Sequence, residues 1–380
     1  MKRARSLCLV AGLSLLLPLA GFAGESLVYF GTFTGAKSRG IYLSRFDSAT
    51  GTLTAPELAA EIENPTFLAV APGGRFLYAV SEVNKIGDKD TGAVAAYAVD
   101  VKTGRLTPLN RQNSGGPGPC HISVDATGKC LLVANYAGGS IAALPIHADG
   151  SLGGAATFIQ HTGSSVNTNR QAGPHAHSIY PSPDNRFVLN CDLGLDRVFA
   201  YGLDAGAAKL TDYTMGVNVA PGSGPRHLVF SADGKFVYVI NEMGGTITVF
   251  SYAATNAAMN EVQMISSLPR DFSGQNTSAE IALHPSGKFL YASNRGHDSI
   301  ALFSVDQKTG RLTFVEHEST MGRTPRHFAV DPTGRWLMVE NQASDSVVMF
   351  AIDQDTGKLK PTGRTITVGA PVCAVFIGGG

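Results

Sequence analysis

The 380-residue sequence is short of charge, of tryptophan and of long apolar stretches. Only 16% of its residues are charged, and 30 Lys and Arg balance 30 Asp and Glu, so it lacks the basic patch that nucleic-acid binding requires. A single tryptophan leaves little for an aromatic docking surface. No Cys-x-x-Cys-His is present, which disfavours a covalently held haem, and no Gly-x-Ser-x-Gly elbow, which disfavours the common hydrolase triad. The cysteines match no zinc spacing, and Cys120, Cys130, Cys191 and Cys373 are expected as free, buried thiols. The one long apolar run, Leu7 to Ala20, follows Lys2, Arg3 and Arg5 and precedes Gly21-Phe22-Ala23. That pattern reads as a secretory signal peptide over residues 1–23, cleaved near Ala23, and is too short and wrongly flanked for a membrane anchor. Its removal leaves 27 basic against 30 acidic residues, a net charge of −3. The mature chain, residues 24–380, is expected to be one soluble domain, periplasmic or secreted, with no stable membrane insertion.

Glycine and proline, by contrast, are plentiful, with 44 and 19 copies and no collagen-like period. They punctuate an echo in which an apolar run, a turn and a Gly/Asn-Lys/Arg pair recur roughly every fifty residues. The copies are Gly74-Arg75, Gly128-Lys129, Asn185-Arg186, Gly234-Lys235, Gly287-Lys288 and Gly334-Arg335. In the copy from Gly224 to Tyr252, strands are expected over Arg226 to Phe230, Lys235 to Asn241 and Thr246 to Tyr252, separated by Gly/Asp turns. Segments of the form Asp-x-x-Thr-Gly-x-Leu, such as Asp100 to Leu106 and Asp306 to Leu312, close several units with a fourth strand. Four antiparallel strands per unit, repeated radially, make an all-β propeller. The N-terminal segment lacks a first strand, and Pro371 to Phe376 supplies one with nothing after it. Joined, the two ends complete a seventh blade and close the ring.

In each hairpin, residues equidistant from the turn should face each other, which sets Arg226 against Asn241, His177 against Asp192 and Glu280 against Ser293. All these positions then lie on one face near the axis, where a propeller presents its pocket. His121, His227 and His327 recur in a shared pattern and read as hydrogen-bonded core residues. The residues that depart from the repeat are His175, His177, Asp192, Asp196, Arg197, Arg226, Glu242, Glu280 and Arg295, with Asn294 beside the last. Arginine can grip a carboxylate or a developing oxyanion, and His and Glu move protons near neutral pH. A rim salt bridge between Arg226 and Glu242 is the plainer alternative. His175-Ala176-His177 with Asp192 is a weak metal pattern, and no metal or other cofactor is expected.

Gly173-Pro174-His175-Ala176-His177-Ser178, Asp192 to Arg197, Gly224-Pro225-Arg226-His227, Asn241-Glu242, Ala279-Glu280-Ile281 and Asn294 to Ser299 together resemble the seven-bladed propeller lactonase family. That family includes propeller-type 6-phosphogluconolactonases and carboxymuconate lactonising enzymes, and the resemblance runs through the mature chain. It implies a lactone hydrolase with catalytic groups at His177, Arg226, Glu242 and Arg295. His175, Asp192, Asp196, Arg197, Glu280 and Asn294 are then candidates for substrate hydroxyls or for orienting the catalytic groups. The expected export favours a small unphosphorylated sugar lactone, such as glucono-1,5-lactone, as the partner. 6-Phosphogluconolactonase, a lactone-forming cycloisomerase and a non-catalytic binding propeller are the rival readings.

Overall fold

A computed structural model describes residues 24–378, so the expected signal peptide lies outside the described residues. Strands dominate, and they assemble into seven separate sheets. Blade one comprises Leu68–Val70, Phe76–Ser81, Ala93–Val99 and Leu106–Asn113, in that order from the axis outwards. Blades two to six begin on Pro119–Val124, Ala176–Pro181, Pro225–Phe230, Thr277–Leu283 and Pro325–Val330 and repeat the same four-stranded meander. Blade seven takes its innermost strand, Pro371–Ile377, from the C-terminal end and pairs it antiparallel with Glu25–Thr32. Its outermost strand is split into Thr52–Leu53 and Glu57–Glu61, both paired with Gly40–Asp47. Each innermost strand touches the next, and the seventh returns to the first. The two chain ends therefore close the ring, as the sequence predicts.

No blade can bury both its faces alone, and the core is accordingly divided into slabs between neighbours. Phe187, Leu189 and Val198 of blade three pack on Leu228, Val237, Val239 and Phe250 of blade four, and equivalent clusters fill the other gaps. The second strand of a blade is buried on both sides, which is why Phe236–Asn241 reads as a nearly unbroken apolar run. Tyrosines pin the slabs: Tyr29 donates its hydroxyl hydrogen bond to the Gly104 carbonyl at 2.7 Å, and Tyr78 donates to Gly150 at 3.0 Å. The Gly/Asn of the echo has a backbone cause. Gly74, Gly128, Gly234, Gly287 and Gly334 lie at φ near +70°, and Asn185 takes the same turn at +58°. Only glycine, and less readily asparagine, enters that region without strain.

The innermost hairpins differ from the expected register in one instructive way. Pro225, not Arg226, faces Asn241, while His227 faces Ile240, so Arg226 is an extra residue bulged out of the ladder. His177 is likewise bulged between Ala176, opposite Asp192, and Ser178, opposite Cys191. Ala279 and Glu280 share the space opposite Ser293. Cys120, Arg326 and Val372 occupy the same bulge in blades two, six and seven. A bulge bends its strand and re-aims one side chain, and here it brings Cys120, His177 and Arg326 to the cavity at the channel mouth.

Candidate active site

The mouth of the channel is built from two positions of the repeat. The first is the bulge: Cys120, His177, Arg226 and Arg326, with Thr66 at the corresponding place in blade one. The second is the residue that follows the polar end of each second strand: Glu82 after Ser81, Tyr136 after Asn135, Glu242 after Asn241, and Arg295 after Asn294. Together with Arg170 and Thr277 these residues enclose a cavity of about 320 Å³, lined by Glu82, Cys120, Tyr136, Arg170, His177, Glu242, Thr277, Arg295 and Arg326.

Glu242 is its electrostatic centre. Arg226 Nε donates to Oε2 at 3.1 Å and Arg170 Nη2 donates to Oε1 at 2.7 Å, while Arg295 Nη2 forms an ion pair with Oε2 at 2.8 Å and its Nε donates to the Thr277 carbonyl at 3.2 Å. Burial by itself would raise this carboxyl's pKa, but Arg295, Arg226 and Arg170 outweigh it and hold it at about 2. Glu242 is therefore an anion throughout the neutral range. His177 Nε2 stands 3.9 Å from Glu242 Oε2, beyond direct hydrogen-bond reach and within reach of one shared water. Burial first, and then the positive field of Arg226, push His177 well below the ordinary imidazole range, so it is a neutral base. Arg226 is almost fully enclosed: its other nitrogen, Nη1, donates to the Ala279 carbonyl at 2.7 Å, and the side chain stands behind Glu242, outside the cavity lining.

Arg170, Tyr136, Glu82 and Arg326 were not among the sequence-derived candidates. Arg170 belongs to the long connection between Thr157–Gln160 and Ala176–Pro181, which has no counterpart in the other blades and therefore no signal in the echo. It also donates to the Tyr136 hydroxyl at 3.2 Å. Glu82 was legible, since Gly74-Arg75-Phe76-Leu77-Tyr78-Ala79-Val80-Ser81-Glu82 parallels Gly234-Lys235-Phe236-Val237-Tyr238-Val239-Ile240-Asn241-Glu242. Arg326 shares Pro-Arg-His with Arg226. Its guanidinium lies over the Phe33 ring, 5.4 Å from the centroid.

The six candidates for substrate contact lie elsewhere. His175 stacks on Tyr136 at 4.6 Å and bonds the Tyr136 carbonyl, supporting the cavity wall from outside. Asp192 is wholly buried, bonded to His161 at 2.6 Å and to the His175 amide at 2.8 Å. Asp196 clamps the amides of Gly222 and Gly224, and Arg197 lies over Phe199. Asn294 accepts from Ser267 and Ser278, tying the connection between blades four and five to the innermost strand of blade five. Glu280 sits beneath the cavity, 3.0 Å from His227 Nδ1 and 3.6 Å from His327 Nε2, while His327 Nδ1 meets Glu340 at 2.8 Å. In the innermost strand the bulge spends one residue without advancing the ladder, which turns His177 away from the position opposite Asp192 and separates it from His175. Among the described residues no group of three or more His, Cys, Asp or Glu side chains could hold a metal ion. Cys120, Cys130, Cys191 and Cys373 are free and buried. A larger cleft of about 750 Å³ lies between blades seven and one, beside the Gly73-Gly74 turn and the end of the innermost strand of blade seven, but Glu25, Arg45 and Lys102 are the only charged residues lining it and no imidazole does.

The sequence profile of the lactonase, seven-bladed β-propeller family matches residues 27–376. The chain belongs to this lactonase family. It is 38% identical over 300 residues to a 6-phosphogluconolactonase of Bacillus subtilis, covering 79% of this chain and 83% of that one. A 6-phosphogluconolactonase of Formosa agariphila is 36% identical over 306 residues, covering 79% and 85%. Among solved structures, the periplasmic gluconolactonase of Pseudomonas aeruginosa superposes with a TM-score of 0.87 at 35% identity, covering 93% of this chain and 99% of that one. The lactonase fold thus accounts for the whole described ring.

Proposed function

We propose that this protein hydrolyses an unphosphorylated sugar δ-lactone, with glucono-1,5-lactone the best fit, after export across the inner membrane. The observation that carries the reading is the cage of three arginines around an ionised Glu242, set beside a neutral imidazole in a closed-sided cavity. His177 takes a proton from the attacking water, and the Glu242 carboxylate stabilises the imidazolium that forms. Arg295 lines the cavity and faces the carbonyl oxygen, where one well-placed donor to the tetrahedral oxyanion contributes about 3 kcal/mol. Arg226, expected from the sequence to share that task, instead positions Glu242 from behind.

The absence of phosphate from the substrate is supported by how the cations are used. Three of the four guanidiniums pair with Glu242, and the fourth, Arg326, lies in the field of Glu82. A phosphate dianion gains most from a forked grip by cations that have no other partner. The relatives named 6-phosphogluconolactonase favour the phosphorylated substrate as a second reading. Export rests on residues 1–23, and the periplasmic neighbour supports it. The test is proton release by purified protein on glucono-1,5-lactone and on its 6-phosphate, with cell fractionation of the tagged full-length chain. Turnover at the spontaneous rate on both lactones, or unchanged turnover in Arg295→Ala, would refute the reading.

A further inference from the structure

The cavity holds a second carboxyl, on the wall away from Glu242. Glu82 follows the second strand of blade one as Glu242 follows that of blade four. Three of the seven blade steps separate them, so the two side chains enter from nearly opposite sides. Their surroundings differ in kind. Glu242 is paired with three guanidiniums, two of them hydrogen-bonded to it, whereas Glu82 Oε2 accepts from the Thr66 hydroxyl, and Arg326 and Arg226 act on it through space. The other titratable group facing it, the Cys120 thiol, is kept neutral by burial. Burial outweighs the two arginines and the Thr66 hydrogen bond and raises the Glu82 carboxyl's pKa from its ordinary value. When the environments of two carboxyls in one site drive them apart, one serves as a permanent anion and the other as a proton donor.

Ring opening needs such a donor. At neutral pH Glu242 is an anion and His177 is unprotonated, so neither starts the cycle with a proton to give. Resting on the lactone-hydrolase reading, we propose that Glu82 is the general acid, protonating the ring oxygen as the carbonyl carbon–oxygen bond breaks. Water adds to the carbonyl carbon while His177 takes its proton. The tetrahedral oxyanion then re-forms the carbonyl, and the electron pair of the breaking bond goes to the ring oxygen, which takes the Glu82 proton. The product is a hydroxy acid, and the His177 proton returns through solvent to Glu82.

The experiment compares glucono-1,5-lactone, which departs as an alkoxide, with dihydrocoumarin, whose phenolate leaves with little need of a proton. Glu82→Gln is expected to lower kcat on glucono-1,5-lactone on the order of 10²-fold. Its loss on dihydrocoumarin should be at least about ten-fold smaller. Glu82→Asp, which keeps a carboxyl, should retain most of kcat on both lactones, and Glu82→Ala repeats the comparison if the Gln variant does not fold. Equal losses on the two lactones in a folded variant would overturn the acid while leaving the lactonase reading intact. A wild-type protein that opens neither lactone would sink both.

Discussion

The arginine cage makes a quantitative claim about acid stability. In the unfolded chain Glu242 takes up a proton near pH 4.5, whereas in the folded protein Arg295, Arg226 and Arg170 overcome the burial cost and hold that event down to about 2. Between those values the unfolded state binds more protons, so stability falls as pH falls. The side chain is buried, so solvent screening removes little of the effect. The depression corresponds to about 3 kcal/mol at neutral pH, at 1.4 kcal/mol per tenfold change in proton affinity. That contribution is fully present above about pH 5.5, and about 2 kcal/mol of it has gone by pH 3. Glu242→Gln keeps the shape and removes the titration. Its stability at neutral pH should drop by about 3 kcal/mol, because three buried guanidiniums lose their counter-charge. Urea unfolding at pH 7, 5.5, 4 and 3 should then show wild type losing about 2 kcal/mol more than the variant between pH 5.5 and 3. Parallel stability–pH curves would mean that Glu242 is not held as a buried anion, and the site electrostatics argued from it would fail.

Replacing His177 by Ala should lower kcat on the order of 10²–10⁴-fold. In wild type, kcat/KM should stay flat as pH falls through 6.5, because burial keeps the imidazole neutral well below that point; an acid limb centred there would contradict the burial argument. Arg226→Met should lower kcat on the order of 10²-fold with KM nearly unchanged, since Arg226 stands behind Glu242; a raised KM with intact kcat would place it against substrate instead. The thiols of Cys120, Cys130, Cys191 and Cys373 should resist a disulfide reagent in the native protein and all react once it is unfolded in urea, and rapid native labelling of any one would refute its burial.

The ring was legible because its determinants are local and repeated. The left-handed turn forces Gly or Asn into each copy, and burial on both faces forces the apolar second strand, so both leave a mark on a single sequence. Closure was legible from the half-units at the two ends. His177, Glu242 and Arg295 could be singled out because they interrupt the repeat, and all three line the cavity. The bulge was not legible, because it is a backbone irregularity that any residue type can occupy: Cys120, His177, Arg226, Arg326 and Val372 share it. Without it Arg226 and His177 fall one residue out of register, opposite Asn241 and Asp192, whereas Glu280 keeps its place opposite Ser293. Asp192 and Asn294, expected near the rim, fasten loops instead. Arg170 escaped for another reason, since a connection unique to one blade has no internal copy to be compared with.

The same comparison changes how the repeat bears on function. Departure from the pattern selects residues, but the positions themselves are strictly periodic: the bulge and the residue after the second strand. Fixed geometry at those two places lets each of blades one to six offer one or two side chains to a common cavity without disturbing its ladder, so chemistry can vary while packing does not. Glu82 and Glu242 show the consequence. They follow equivalent strands, yet Thr66 stands at the position in Glu82's own blade that corresponds to the Arg226 bulge in Glu242's. With the long connection adding Arg170 and the next blade adding Arg295 on the Glu242 side alone, two identical residues on one scaffold are driven to opposite protonation tendencies. The division of labour between them is therefore set by what the neighbouring copies of the repeat place at the bulge, not by either glutamate.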